Sequence, residues 1–564
     1  MGFLCAQPSW TRALCVALLA ATAPFAGAHA PAEFAASPLL PVPFRDAIER
    51  GIVDGAYRSL AVGLIDGARQ ATYYFGHRDD PASKPADDDS LFEIGAVGEI
   101  FTSVLLAQAA IEGKLRLSDP VERFLPPQFP FADPGTGKIT LAQLATQHSG
   151  LPAQPQNLFP DDPDDPYADY ASEDLLALLA LRRARDETDD GYAYSALNAG
   201  FLGFVLGRVY RMPFAELLLA KVAAPLELTH VSFADPPGLL QGYAFGTKAK
   251  HWHYGVLAGA AGLRANLPDL LAFLQCNLRP TDSPLRAALL LARQPRAAGA
   301  ADRIGLGWNV RERLDGADTW PLVWRASRTG GFASFVGFRI DQQKAIVLLG
   351  NAAEDVAALG IAWLGGAAPP PIPHAPASAP SYRPEDYPGL YQVAPGSTAV
   401  VRARAGALSL QMPGELPRRL RAADRDVFVT DDGALGVTFV RNLDEIDGLV
   451  LHAAGGNVSA SRLSLRAPKI TRAVIETTGG APAGDYRLDG STWIRVAESK
   501  RGTNLQWTLG ERRSIFAYAP DRYADADGAL DLQFHRDAHG RVKSISLDLA
   551  GVQREATPLL RAIP

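Results

Sequence analysis

Glu99 is the residue of this sequence whose position raises the clearest chemical question. It precedes residues 104–111, which are apolar on almost every face and therefore predict a helix buried in the middle of a domain. A charged carboxylate there needs a counterion or a task, because two unit charges about 4 Å apart interact by roughly 4 kcal/mol at an effective dielectric near 20. Glu99 can pair with a cation, or it can act as a general base that activates water beside the amides of the helix start.

The residues around Glu99 resemble the start of the central helix in the penicillin-recognising serine hydrolases, which include β-lactamases, DD-peptidases and related esterases. In that family the helix opens with Ser-x-x-Lys, where the serine is acylated and the lysine helps to remove its proton. Aligned on residues 92–95, Ala96 takes the position of the serine and Glu99 that of the lysine. Further landmarks of the family follow in the expected order at residues 139–141, 148–152, 261–263 and 269–271.

Two more motifs of the family have counterparts in the chain. Tyr194-Ser195-Ala196 resembles the Tyr-x-Asn motif, in which the tyrosine assists proton transfer and the asparagine holds the substrate amide. Arg328-Thr329-Gly330 resembles the Lys-Thr-Gly or His-x-Gly motif on the strand at the edge of the site. The resemblance thus implies three catalytic positions, lost at Ala96, altered at Glu99 and kept at Tyr194, and four substrate-binding positions, Ala196, Arg328, Thr329 and Gly330.

These replacements predict a family member that does not form an acyl adduct. An alanine methyl cannot attack a carbonyl, and loss of the nucleophile costs a serine hydrolase on the order of a million-fold in turnover. Backbone oxyanion donors do not depend on side-chain type, so a pseudoenzyme can keep a cleft for a peptide-like or acyl-bearing ligand, or for a protein partner. In this reading Glu99 either pairs with Arg328 across the cleft or points into solvent at its mouth.

Two other functions remain open at this point. The first is a hydrolase of peptides, esters or β-lactams that uses water activated by Glu99, or an unrecognised serine. The second is a structural or regulatory protein whose C-terminal half binds the partner. No motif indicates a cofactor, and no set of Cys, His, Asp and Glu residues has the spacing of a metal site.

Composition and charge narrow the class of protein further. The 564 residues carry a net charge of -6 and no basic stripe, so nucleic acid is not an expected partner. Residues 1–30 read as a signal peptide, with Arg12 before an apolar run and small residues at a cleavage site. We therefore expect a periplasmic or secreted protein without an integral membrane segment after signal removal.

Residues 31–365 alternate helical patterns with strand-like runs at 60–66 and 332–351. This pattern indicates a mixed α/β (α+β) architecture, and the family resemblance implies a β-lactamase-like, transpeptidase-like domain. Residues 366–384 are rich in proline and predict an extended linker at the end of this domain.

Residues 385–466 and 481–564 consist of short alternating segments, and they repeat. Gly389-Leu390-Tyr391 recurs as Gly484-Asp485-Tyr486, at an offset of 95 positions. Repeats of this length predict two small antiparallel β-barrels. A D-aminopeptidase resembles the whole arrangement, which implies that the barrels cover or narrow the pocket of the front domain.

Overall fold

The structure is a computed structural model that describes residues 38–559 with internal gaps. The gaps are residues 81, 163, 182–190, 245–246, 316–317, 353, 372–382, 395–396, 405, 413–416, 431–434, 443–444, 454–455, 463–482, 489–492, 500–501, 509–511, 520, 526–529 and 550–551. The predicted signal peptide (1–30) and most of the predicted linker (372–382) lie outside the described residues.

One antiparallel sheet of eight strands forms the centre of the front domain, in the order β2-β1-β12-β11-β10-β9-β8-β7. The strands of this domain are β1 (Ser59–Asp66), β2 (Arg69–Gly76), β3 (Phe92–Glu93), β4 (Tyr243–Ala244), β5 (Thr247–Lys248), β6 (Arg264–Ala265), β7 (Ala297–Ala298), β8 (Arg303–Ile304), β9 (Asn309–Asp315), β10 (Asp318–Arg328), β11 (Ala333–Arg339) and β12 (Lys344–Gly350). The strand-like runs predicted at 60–66 and 332–351 are β1 and the β11–β12 hairpin.

Eleven α-helices are found in the described part of the chain, all of them in the front domain. They are α1 (Val42–Val53), α2 (Gly98–Ile111), α3 (Pro134–Lys138), α4 (Leu141–Ala145), α5 (Ser172–Leu181), α6 (Ala196–Tyr210), α7 (Phe214–Leu218), α8 (Ala258–Ala261), α9 (Leu267–Leu278), α10 (Arg286–Ala292) and α11 (Ala357–Gly365). None of the helices that the structure describes has both the length and the apolar character needed to cross a membrane.

Helices cover both faces of the sheet, because successive residues of a strand point to opposite faces. Leu60, Val62 and Leu64 of β1 pack with α1 and α11, whereas Ala61 and Ile65 join the larger cluster that contains α2, α6 and α9. The apolar segment predicted to be a central helix is α2, which packs against α6, α8 and α10. Every residue from the start of α2 to Ala107 is buried.

Two closed antiparallel barrels follow, as predicted, and the structure shows that each has eight strands. The first consists of β13 (Gly389–Ala394), β14 (Ser397–Arg404), β15 (Ala407–Gln411), β16 (Arg418–Asp424), β17 (Val427–Thr430), β18 (Gly436–Asn442), β19 (Glu445–Ala453) and β20 (Gly456–Arg462). The second consists of β21 (Gly484–Arg487), β22 (Trp493–Ser499), β23 (Gly502–Trp507), β24 (Arg512–Ala519), β25 (Arg522–Asp525), β26 (Leu530–Arg536), β27 (Val542–Leu549) and β28 (Val552–Pro558). Each barrel closes by pairing of its first and last strands.

Each barrel contains an equivalent turn, and this pair of turns shows the sequence repeat in three dimensions. Asp426 and Asp521, which are 95 positions apart, both have a left-handed backbone, with φ of 60° and 56°. Their carboxylates pair with Arg441 and Arg536 at 2.8 Å in each barrel. Aspartate tolerates this backbone better than most residues do, because its short polar side chain can form local hydrogen bonds.

Candidate functional site

The head of α2 is held in place by a tight turn against the sheet. Gly95 opens a 3-10 turn (Gly95–Val97) with φ of 51°, a conformation that favours glycine. A Cβ atom at Gly95 would lie 3.0 Å from the Thr329 methyl carbon and would collide with the Ser327 hydroxyl. The chain therefore needs glycine here both for its backbone and for the close approach of β10.

Two serines on neighbouring strands of the sheet form hydrogen bonds with this turn. Ser327 and Ser334 are register partners on β10 and β11. The Ser334 hydroxyl donates to the Ile94 carbonyl at 2.8 Å, and the Ala96 N–H donates to the Ser327 hydroxyl oxygen at 2.6 Å. Ala96 itself is 8% exposed, so its methyl group stands at a nearly closed position where the resemblance expects a hydroxyl.

Glu99 lies in the first turn of α2 and is buried, with 1% exposure. Its carboxylate forms an ion pair with Arg325, and it accepts hydrogen bonds from the Tyr194 hydroxyl at 2.8 Å and from Gln147 Nε2 at 3.3 Å. The predicted partner was wrong: the ion pair is with Arg325, three residues before Arg328 on β10. The alternative orientation into solvent was also wrong, because the carboxylate is enclosed by these three side chains.

Burial and charge act in opposite directions within this cluster. Burial raises the pKa of Glu99 above the usual range of a carboxyl group, against the influence of the Arg325 charge and of the hydrogen bonds from Tyr194 and Gln147. Burial alone would lower the pKa of Arg325, but the Glu99 carboxylate, Tyr194 and Tyr192 together outweigh burial and raise that pKa. Arg325 is therefore a cation at neutral pH.

Tyr194 connects the buried cluster with the outside. Tyr194 is 41% exposed, but its hydroxyl group points inward and donates a hydrogen bond to Glu99. Burial of the hydroxyl, together with the charge of Glu99, raises the pKa of Tyr194 well above its usual range. The guanidinium carbon of Arg325 lies 5.4 Å from the centre of the tyrosine ring, a cation–π distance. Tyr194 is thus a neutral hydrogen-bond donor that is already directed to a carboxylate.

Gln147 holds the far side of the cluster. It is buried and has a left-handed backbone with φ of 63°, which is uncommon for a residue other than glycine. Its side-chain oxygen accepts from the Ser195 N–H at 3.0 Å and from the Asn198 amide, while its nitrogen donates to Glu99. Such strained residues persist where the surroundings fix them, as several hydrogen bonds do here.

The four residues predicted to bind substrate lie at the ends of α6 and β10. Ala196 begins α6 and is 8% exposed, so only a methyl group stands where the family has an amide side chain. Arg328 is the last residue of β10 and is exposed. Thr329 is buried, and its hydroxyl has no hydrogen-bonding partner among the described residues. Gly330 packs so closely on the Trp252 indole that any side chain would collide with it.

Sequence reasoning missed Arg325, Ser327 and Gln147 as members of the site. Arg325 and Ser327 are two positions apart on β10 and therefore share a face of the sheet, the face that meets the head of α2. Arg325 thus has the role of counterion to Glu99 that we had predicted for Arg328. The alternation of side chains along β10 could have indicated which residues face α2. To use it, one had to know the residue at which β10 ends, and the sequence did not give that. No cluster of three or more His, Cys, Asp or Glu side chains in the described residues has the geometry of a metal site.

Comparison with known proteins identifies the family of the front domain. The family model described as beta-lactamase matches residues 44–365. A beta-lactamase of Escherichia coli (strain K12) is 28% identical over 336 residues, which cover 52% of this chain and 83% of that protein. A beta-lactamase of Pseudomonas fluorescens is 25% identical over 327 residues, covering 52% and 88%. Among solved structures, a class C beta lactamase from Rhodobacter sphaeroides has a TM-score of 0.49 and 23% identity, covering 55% of this chain and 94% of that one.

Proposed function

Since this chain belongs to the beta-lactamase family, we propose that it is a member that binds a ligand of the family's type without forming an acyl adduct. In this proposal it is a pseudoenzyme of the serine hydrolases, exported to the periplasm or beyond the cell. Its cleft takes a peptide-like or acyl-bearing small molecule, or a peptide segment of a protein partner. Relatives named beta-lactamase support this ligand class, because β-lactams are cyclic acyl compounds.

The observation that carries the proposal is the chemistry at the head of α2. Ala96 has no oxygen with which to attack a carbonyl group. Glu99, at the position of the family's lysine, is bound by Arg325, Tyr194 and Gln147. A buried carboxylate with three partners is a structural anchor, and a base would have to leave these partners in order to accept a proton. Both positions that start acylation are thus occupied by residues that do not perform it.

Hydrolysis by water that Glu99 activates is the second candidate. The raised pKa of Glu99 favours it, since a general base works best with a pKa near the working pH. The contacts oppose it, because one carboxylate oxygen accepts from Tyr194 while the other faces Arg325 and Gln147. If water attack operated, Glu99→Gln would abolish turnover of esters and β-lactams; in our proposal the native chain already has no turnover to lose.

Covalent labelling distinguishes an inert site from an acylating one. The native chain is incubated with a fluorescent penicillin and with a fluorophosphonate, and intact mass and gel fluorescence are recorded. We expect no adduct with either reagent, because Ala96 offers no nucleophile. An active serine β-lactamase labelled in parallel verifies the reagents. Stoichiometric labelling of any side chain of the native chain would refute the proposal.

Ligand binding is the positive half of the proposal and has its own measurement. Cell-wall peptides, D-amino-acid derivatives and intact β-lactams are screened by thermal shift on the full chain. A ligand at about 100 times its dissociation constant stabilises the folded state by roughly 2.7 kcal/mol, which such a screen detects. Tyr194→Ala serves as the matched variant, because it removes the exposed ring at the cluster without changing Ala96. If a ligand raises the melting temperature of Tyr194→Ala as much as that of the native chain, the ligand binds away from the Glu99 cluster.

A further inference from the structure

The hydrogen bond between Ala96 and Ser327 bears on what the cleft can admit. The first amides of a helix have no partner within the helix, and amides of this kind stabilise carbonyl oxygens in acyl-transfer enzymes. In this chain the Ala96 amide already donates to the Ser327 hydroxyl oxygen at 2.6 Å. An N–H group forms one strong, nearly linear hydrogen bond, so a second oxygen cannot use the same proton equally well.

We propose that the Ser327 hydroxyl is a built-in occupant of the carbonyl-binding position at the head of α2, and that Ser327 decides whether the cleft accepts a ligand carbonyl there. The inference rests on the proposed function and refines it. Ligands that need the Ala96 amide must displace Ser327, while ligands held by Tyr194 and neighbouring groups need not.

The surroundings keep the Ser327 side chain in this place. Its register partner Ser334 holds the preceding carbonyl of the same turn, so the strand and the turn are fixed on both sides of the contact. The Gly95 backbone leaves no room between the turn and the Ser327 hydroxyl. Arg325, two residues earlier on the same face, donates from Nε to the Ala96 carbonyl at 3.4 Å. The contact is part of a packed junction between sheet and helix.

The same geometry opposes a role of Ser327 as a replacement nucleophile. Activation of a serine needs a base within hydrogen-bonding reach of its oxygen. The carboxylate of this cluster belongs to Glu99, and its oxygens are bound by Arg325, Tyr194 and Gln147. Ser327 is therefore an occupant whose oxygen accepts a hydrogen bond from the Ala96 amide, and no covalent step is assigned to it.

Two substitutions and one matched control test the inference. Ser327→Ala and Ser327→Gly remove the hydroxyl, whereas Ser334→Ala removes a hydroxyl bound to the same turn without freeing the Ala96 amide. Hydrogen–deuterium exchange of residues 92–101 is followed by mass spectrometry, and binding of benzylpenicillin is measured by calorimetry. We expect exchange at the Ala96 amide to rise about tenfold in both Ser327 variants, as for loss of one net hydrogen bond, but not in Ser334→Ala.

Affinity gives the decisive outcome. We expect benzylpenicillin to bind both Ser327 variants about tenfold more tightly than it binds the native chain, since a freed amide offers its carbonyl one hydrogen bond. Faster exchange without a gain in affinity would overturn the inference, whether or not the native chain binds the compound. Equal binding by all variants would leave the proposed function standing, whereas an adduct on native Ser327, seen by intact mass, would refute both. Thermal melting confirms that each variant is folded. If Ser327→Ala does not fold, Ser327→Gly is used in its place.

Discussion

At the scale of single residues, the site is defined by a charge reversal that the fold accommodates. Replacing a cation by Glu99 inside a buried helix head leaves a negative charge that water cannot solvate. Arg325, itself 5% exposed, supplies the counterion from β10, and Tyr194 and Gln147 supply hydrogen bonds. A buried ion pair adds little net stability compared with apolar residues, but removal of one partner leaves an uncompensated charge.

A double-mutant cycle on this pair tests that account. We expect Arg325→Met and Glu99→Gln each to lower the free energy of unfolding by about 3 to 5 kcal/mol, because each leaves a buried polar group without its partner. The double variant should cost at least about 2 kcal/mol less than the sum, since neither charge is left alone. Urea unfolding of the four proteins gives these values.

The matched control for this cycle is an exposed pair. Lys138 and Glu122 are 2.5 Å apart, with side chains that are 68% and 38% exposed. Lys138→Met should change the free energy of unfolding by less than about 1 kcal/mol, because water solvates the remaining carboxylate. Strictly additive effects in the Glu99 and Arg325 cycle would show that the two groups do not stabilise each other.

At the scale of secondary-structure elements, the turn between β16 and β17 is a second place where charge stabilises backbone geometry. Asp426 receives hydrogen bonds from Arg441 and, at 2.8 Å, from the Tyr387 hydroxyl. The bond from Arg441, assisted by Tyr387, holds the pKa of Asp426 below its usual 3.8. A carboxyl whose pKa is lowered by folding contributes stability above its unfolded pKa and loses it as the pH falls through its folded pKa.

This linkage predicts a pH-dependent effect of Asp426→Asn. At pH 6 the variant should unfold more easily than the native chain by about 1 to 3 kcal/mol, because the charged acceptor is lost. The difference should shrink as the pH falls below the usual 3.8 and through the lowered folded pKa of Asp426, because the native carboxyl then loses its charge as well. Urea unfolding at pH 6, 4 and 3 measures it. Asp447→Asn, at an exposed position of β19, is the control and should show no such trend; a constant difference for Asp426→Asn would contradict the linkage.

The elements that sequence could predict are those with a strong local pattern. The buried helix α2 and strand β1 were predictable because apolar runs report burial directly, and the barrel repeat because its aromatic and glycine positions recur. The identity of the counterion to Glu99 was not. Arg325 and Arg328 look equivalent in sequence, and only the packing of β10 against the turn at Gly95 decides which one faces inward.

At the scale of the whole molecule, the second barrel packs on the front domain through one short segment and α5. Gln506 donates to the Pro160 carbonyl at 2.8 Å, and Arg512 pairs with Asp161. The guanidinium carbon of Arg495 lies 4.4 Å from the centre of the Phe159 ring. The first barrel contacts the front domain through Glu354, which pairs with Arg419 and Arg421.

The family model matches residues 44–365, and both barrels follow that match in the chain. These contacts therefore join the family's domain to two barrels that the family model does not include.

Trp493 is an apolar link between the second barrel and the front domain. It is 1% exposed and belongs to the front domain's main hydrophobic cluster, although it begins β22. Trp507, on the neighbouring strand β23, instead packs in the barrel's own cluster. These two tryptophans of one barrel therefore separate attachment of the barrel from its internal stability.

Trp493→Ala should loosen both partners at once. Removing a buried tryptophan costs about 3 to 5 kcal/mol. Here the loss would also disturb Arg487, whose guanidinium carbon lies 6.0 Å from the centre of the indole ring and which donates to the carbonyl of Leu181, the last residue of α5, at 2.6 Å. Hydrogen–deuterium exchange should therefore rise in peptides from both α5 and the second barrel, whereas Trp507→Ala should raise exchange in the barrel alone. The indole N–H of Trp493 has no partner among the described residues, so Trp493→Phe should stay close to native exchange in α5. If α5 exchanges at the native rate in Trp493→Ala, the barrel is attached through its polar contacts, and Gln506 and Arg512 become the residues that hold it.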